Sequence, residues 1–257
     1  MKKFLRVLLL IPVFYILVIP FQLNYRMGLS ACAGLNVNVR DSSDYHFVTS
    51  REIKRMVNNS KSKYAGVPMK EVPLLEIESL IAEIPELRIT EAYQTIDGIL
   101  HIDVDQRNPV VRFSTISGTE YYIDEEGYVI RKRGLNPPRV HMARAGFDIR
   151  DSQQLGYRIG QDFENKALSN LYDLVRYIRN DQLLSALIDQ IEVDRRGEID
   201  LITRTGGHRV IFGDISDMEM KFKTLEEFYK QVPAETGWNR YRSISLKYSG
   251  QVVCRRR

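Results

Sequence analysis

Residues 72–104 read VPLLEIESLIAEIPELRITEAYQTIDGILHIDV, and inside this stretch the hydrophobic period changes from that of a helix to that of a strand. Leu74, Ile77, Leu80, Ile81 and Ile84 recur at three and four, which puts them on one helical face, and Pro85 stops the helix. Two strands follow, about Leu87 to Ile96 and Ile99 to Val104. Asp97-Gly98 between them is the pair favoured by a type I′ hairpin, in which both positions need positive φ. In the second strand Leu100, Ile102 and Val104 face one way, and His101, Asp103 and Asp105 face the other.

Working back towards the N-terminus, Thr49 and Glu52 have the spacing of a capping box, and Val48 and Ile53 that of a hydrophobic staple. They open a helix whose apolar face is Ile53, Met56 and Val57, and the polar stretch Asn58 to Gly66 ends it. Leu35-Asn36-Val37-Asn38-Val39 alternates with period two, a short half-buried strand. The order is β-α-α-β-β, and two helices on one face of a small three-stranded sheet make a modest α+β core.

Ahead of this unit, Phe4 to Leu23 is apolar except for Arg6, Gln22, Pro12 and Pro20. Roughly 20 helical residues cross a hydrocarbon core of about 30 Å. Lys2, Lys3 and Arg6 on the near side predict an N-terminus in the cytoplasm and the bulk of the chain outside it. Two other readings stay open: cleavage at the Ser30-Ala31-Cys32-Ala33 patch, or lipidation of Cys32 in Leu29-Ser30-Ala31-Cys32. The intervening Gln22, Asn24, Tyr25 and Arg26 weigh against both. The divisions expected are residues 1–3 as cytoplasmic tail, 4–23 as transmembrane helix, 24–34 as linker, 35–107 as the β-α-α-β-β unit and 108–257 as a mixed β domain with helices.

Past Asn108-Pro109, short strands are expected at Val110–Phe113, Tyr121–Asp124 and Tyr128–Ile130, with turns at Ser117-Gly118 and Glu126-Gly127. Tyr121 and Tyr122 would point to opposite faces, one core and one surface, and Asp124-Glu125-Glu126 reads as a solvated turn. Asn136 to Gly146 reads as loop with a brief strand. A helical stripe then runs through Phe163, Ala167, Leu171, Leu174, Val175 and Ile178, breaks at Asn180 and resumes at Leu183, Leu184 and Leu187. Strands return at Gln190–Val193, Ile199–Ile202 and Arg209–Phe212. Ser216 and Glu219 form a second capping-box pattern, opening a helix to about Gln231, and Trp238 reads as core or loop anchor. A closing strand from about Ser243 to Val253 places Ile244, Leu246 and Tyr248 on one side.

Charged residues are 27% and hydrophobic ones 44% of the chain, which is ordinary for a folded protein and excludes a disordered tail. A net charge of +4 is too mild to indicate nucleic acid, and Arg255-Arg256-Arg257 reads as a solvated end. His46, His101, His141 and His208 have no metal-ligand spacing, so no metal or cofactor is expected. The chain lacks G-x-S-x-G, S-x-x-K and a phosphate loop, and Asp103 with Asp105 reads as a solvated sheet face rather than an acid–base pair. Cys32 and Cys254 carry no framework pattern, and a bridge between them stays open. These features describe a non-enzyme, a membrane-tethered interaction protein with no small-molecule substrate.

The unit after the apolar run resembles a POTRA domain, on Phe47-Val48-Thr49 before its first helix and Ile84-Pro85 after its second. Arg107-x-Pro109-x-x-Arg112, followed by Tyr122-Ile123-Asp124-Glu125-Glu126-Gly127-Tyr128-Val129, resembles the start of the β domain of the FtsQ/DivIB division proteins. Gly207-His208-Arg209-Val210-Ile211-Phe212-Gly213, leading into a helix with Lys221 and Leu225, and Ser245 to Val253 resemble its later parts in the same order. The short tail, Cys32 and Asp124-Glu125-Glu126-Gly127 look most like the Bacteroidetes branch.

The resemblance implies a single-pass divisome scaffold of the bacterial inner membrane. Its bulk would lie in the periplasm at the septum, it would bind FtsB- and FtsL-like partners, and it would link division to septal peptidoglycan synthesis without catalysis or cofactor. It also implies that Lys247, Tyr248, Gly250 and Val252 of the closing strand bind the partner. A terminal strand is expected at a sheet edge, where its backbone can accept a partner strand. Tyr248 would supply an apolar contact, Lys247 a pairing for an acid, and Gly250 close backbone approach. Tyr248 as simple core is the competing reading, because it shares parity with Ile244 and Leu246. Rival functions are a POTRA-containing chaperone or docking protein of an export or outer-membrane assembly system, and an envelope hydrolase.

Overall fold

The computed structural model describes residues 30–40, 46–132, 138–150, 155–162, 164–231, 240–248 and 250–257. The apolar run 4–23, Asn136-Pro137, Phe163 and Trp238 lie outside them, and among the described residues no helix is long and apolar enough to cross a membrane. The chain divides into two units, Met1–Ser43 with Val48–Gln106, and Asp44–Phe47 with Arg107–Arg257.

In the first unit, β1 (Gly34–Arg40), α1 (Ser50–Asn59), α2 (Leu74–Ala82), β2 (Leu87–Gln94) and β3 (Ile99–Gln106) follow in the expected order, with a short 3-10 turn at Met69–Glu71. β3 is central, parallel to β1 and antiparallel to β2. The capping box forms: the Glu52 N–H donates to the Thr49 hydroxyl and the Thr49 N–H donates to the Glu52 carboxylate at 2.7 Å. Ile53, Val57, Ile77, Ile81, Leu100, Ile102 and Val104 are buried together, each contributing about 1.5–3 kcal/mol by leaving water. On the other face Arg40 pairs with Asp103 at 3.0 Å and Arg88 with Asp105 at 3.5 Å, so these two carboxylates are held as structural ion pairs. Residues 30–33, read as linker, are tied in: the Cys32 N–H donates to Val67 and the Ala33 N–H to Gly98.

The β2–β3 turn differs from the type I′ expectation. Only Gly98 has positive φ, and the turn spans Thr95–Gly98, with the Gly98 N–H donating to Thr95 and the Thr95 N–H to Ile99. The longer loop satisfies the same register with one left-handed residue instead of two.

The second unit is built on one mixed sheet. Its strands are β4 (Pro109–Ser114), β5 (Glu120–Asp124), β6 (Val129–Arg131), β7 (His141–Ala145), β8 (Ile188–Val193), β9 (Ile199–Thr203), β10 (Arg209–Gly213), β11 (Tyr241–Ser245) and β12 (Val253–Arg256). Among the described residues their order is β12-β11-β10-β9-β8-β7-β4-β5-β6. Helices α3 (Lys166–Asn180), α4 (Gln182–Leu187) and α5 (Met218–Gln231) cover one face. A row of paired positions, Tyr121, Phe113, Ala143, Ile191, Leu201, Val210 and Ile244, crosses the sheet and packs with Leu171, Leu174, Val175, Phe222 and Leu225 of the helices. The opposite face carries Arg112, paired with Glu120 at 3.6 Å, and a chain of ion pairs from Arg144 to Glu192 at 3.8 Å, Glu192 to Arg209 at 2.6 Å and Arg209 to Asp200 at 2.9 Å.

Three further expectations are corrected. Tyr121 and Tyr122 are both buried, because Phe47 covers Tyr122 with ring centroids 5.4 Å apart. Ser216 does not cap α5: its hydroxyl donates to Asp214, and Asp217, at φ 51°, starts the helix by accepting from the Lys221 N–H. The closing strand is two strands, β11 and β12, paired antiparallel around a loop. Cys32 and Cys254 are free thiols.

Asp124, read as part of a solvated turn, is 1% exposed. Its carboxylate accepts from Arg107 Nη1 at 2.9 Å and from the N–H groups of Tyr128 and Glu126. The Arg107 guanidinium lies 3.6 Å above the centre of the Tyr128 ring. Burial pushes the Asp124 carboxyl up, against the downward pull of Arg107 and those N–H groups. At Gly127, φ 89°, an added Cβ would sit 3.3 Å from the Tyr172 ring, whose hydroxyl donates to the Glu125 carbonyl. Arg107→Met strands a buried carboxylate and is expected to destabilise this unit by about 3–5 kcal/mol. Urea denaturation of the variant measures it, and a loss under about 1 kcal/mol would contradict the buried-pair assignment.

Candidate partner-docking edge

An open sheet leaves two edges with unpaired N–H and C=O groups. The β6 edge is closed: the Val129 N–H donates to Tyr157 at 3.2 Å, the Gly156 N–H donates to Val129 at 2.7 Å, and Tyr128 bridges Arg158. Among the described residues, β12 has β11 on one side and no strand on the other. Val253, Arg255 and Arg256 are exposed along it, while Cys254 turns inward to the edge of the core.

The loop from Leu246 to Val252 feeds this edge. Leu246 stays buried, its N–H donating to Ile211 at 2.9 Å, and the chain then leaves the sheet. Tyr248 is 62% exposed, so the core reading fails: parity with Ile244 ends where the strand ends. A turn closed by the Gln251 N–H on the Tyr248 carbonyl, with Gly250 at φ 69°, sends the chain back into β12. Lys247, Tyr248 and Gly250 line a cleft of about 60 Å³ against Asp217, Met220 and Lys221 of the α5 start. Val252 packs against the core instead and does not join them.

Sequence reasoning missed Met220, 57% exposed on α5 beside Tyr248. Its signal was available, since it lies off the buried stripe of Phe222 and Leu225. The α5 start is held by Lys221, whose ammonium donates to the Asp214 carbonyl and carboxylate, both at 2.9 Å, and lies 5.1 Å from the centre of the Phe212 ring. The Ser216 hydroxyl and then Lys221 pull the Asp214 carboxyl down to about 2.

Behind the edge, Arg257 reaches across to the carbonyls of Gly206 and Gly207 at 3.3 and 3.4 Å. The neighbouring His208 is fully buried, bonds Tyr229 through Nε2 and leaves Nδ1 without a partner among the described residues. Burial, and then Arg257, hold its pKa below the ordinary value of 6.5, and burial also lowers that of His141. Burial pushes the Tyr229 phenol up to about 12, so it stays protonated. A histidine that stays neutral when folded binds its proton more tightly when unfolded, so stability is complete above pH 6.5 and falls as the pH drops below it. The thermal midpoint of this unit is expected to fall between pH 7 and 5. His208→Gln should flatten that slope, by up to about 1.4 kcal/mol per pH unit for one proton. Thermal melts across that range decide it, and an unchanged slope in the variant would remove His208 from the account.

Comparison with known proteins adds an independent line. The family described as FtsQ/DivIB, C-terminal related, matches residues 108–255, and the POTRA-like domain family matches residues 30–105. A search among curated proteins finds no match. The first match spans more than half of the chain and the second takes up the unit before it, in the order in which the strands and helices lie, and the chain belongs to the FtsQ/DivIB family of cell-division scaffold proteins.

Proposed function

We propose that this chain is a membrane-anchored divisome scaffold that binds FtsB- and FtsL-like partners, links division assembly to septal peptidoglycan synthesis, and has no enzymatic activity. In this reading residues 4–23 are the anchor and both units lie outside the cytoplasm, at the septum. The observation that carries the partner site is the edge of β12, which has no further strand beside it among the described residues, with Val253 exposed on it and Tyr248 and Met220 exposed on the adjoining loop and the α5 start. An extended partner segment would add a strand there, with backbone groups supplying affinity and the apolar border supplying selectivity. Lys247, Tyr248 and Gly250 belong to the loop beside that strand, and Val252 supports it from the core side. Cys32 and Asp124-Glu125-Glu126-Gly127 support the Bacteroidetes-type branch of the family.

The test is capture of the FtsB-like partner from detergent-solubilised membranes by the full chain. Tyr248→Ala combined with Val253→Asp alters only exposed side chains, so the thermal midpoint should stay within about 2 °C while capture falls at least about tenfold, as for a small cluster of interface anchors. Equal capture by parent and variant would refute the site. Protease added to spheroplasts should digest the bulk of the chain, and protection would refute the topology.

A further inference from the structure

We propose that Lys247 is a positioning residue, a latch that ties the Leu246–Val252 loop to the β8–β9 turn and so presents Tyr248 to the partner, rather than a contact for an acidic group on that partner. The inference rests on the docking-edge reading above and changes the role of one of its residues.

Three observations support the latch. The Lys247 ammonium already donates to the Glu198 carboxylate. The backbone that carries this carboxylate is fixed: the Glu198 N–H donates to the Asp194 side chain at 2.9 Å, and the Asp194 N–H donates back to the Glu198 carbonyl at 2.9 Å. The Lys247 stem then crosses Gly213, where an added Cβ would come within 3.0 Å of Lys247 Cγ and 3.4 Å of Cε. Gly213, at φ 81°, follows a bulge in β10, and its missing side chain is the channel through which the lysine reaches Glu198. The aliphatic stem packs while the charge pairs, so both halves of the side chain are engaged inside this unit.

The consequence is preorganisation. A surface loop with exposed Tyr248 would lose conformational freedom on binding, and a latch that orders it beforehand reduces that loss. The hydrogen bond to Glu198 also raises the Lys247 pKa, which keeps the pair charged.

Glu198→Gln separates the two roles. A latch predicts that Glu198→Gln and Lys247→Met each speed amide exchange across residues 246–252 of the full chain by about two- to fivefold, the range set by an exposed ion pair. The double variant should add nothing further. Each single variant should also lower capture of the FtsB-like partner by a similar factor. A direct contact predicts the reverse for Glu198→Gln: with its competitor gone, Lys247 would capture the partner as well or better. Unchanged loop exchange in Glu198→Gln, or improved capture by it, overturns the latch. Failure of the docking-edge reading shows differently, as undiminished capture by the Tyr248→Ala, Val253→Asp variant, and loop exchange still decides the latch.

Discussion

Backbone hydrogen bonding at the ends of the large sheet is the constraint on which the rest of the account depends. Every strand in the interior has both neighbours, and the β6 end is closed by residues 156–158. At the other end, no strand among the described residues pairs with the outer side of β12, and such an edge can accept an extended chain. Exposed Arg255 and Arg256 restrict which chain, since cations on an edge discourage self-pairing between copies and favour a segment of opposite charge. The three helices stabilise the sheet from one face.

The proposed docking edge and a buried polar knot lie at opposite ends of the same sheet. At the β4–β6 end, Arg107, Asp124, Tyr128 and Tyr172 form a buried polar knot around a tight turn. At the β12 end, besides the buried His208–Tyr229 bond, the polar contacts reach the surface: Lys247 on Glu198, Lys221 on Asp214, Arg257 on the Gly206-Gly207 turn. Surface pairs are individually weak, so the order that the Lys247–Glu198 pair adds to its loop is modest.

Local signals in the sequence were legible and long-range ones were not. The Thr49–Glu52 cap, the Leu74–Ile84 stripe and the break at Asn180, where Asp181 caps α4, each depend on residues a few positions apart. The order of strands and helices along the first unit followed from them, but the central place of β3 in its sheet did not. Asp124 was misread because its partner, Arg107, is 17 residues away and the local context is only an acidic turn. The closing segment was misread for a different reason: alternation through Ile244, Leu246 and Tyr248 masked the turn signal of Ser249-Gly250, so one strand was expected where there are two. Of the expected partner residues, Lys247, Tyr248 and Gly250 line one cleft against the start of α5, whereas Val252 packs against the core. The parallel pairings of β4 with β7 and of β10 with β11 have no local sequence signal.

The most direct test of the central claim is photocrosslinking in growing cells from single positions of the full chain. A crosslinking side chain at Val253 or Arg255 should join the chain to a small membrane-protein partner, and one at Met142, exposed on the open sheet face, should not. Crosslinks from position 142, with none from 253 or 255, would contradict the assignment of β12 as the docking edge.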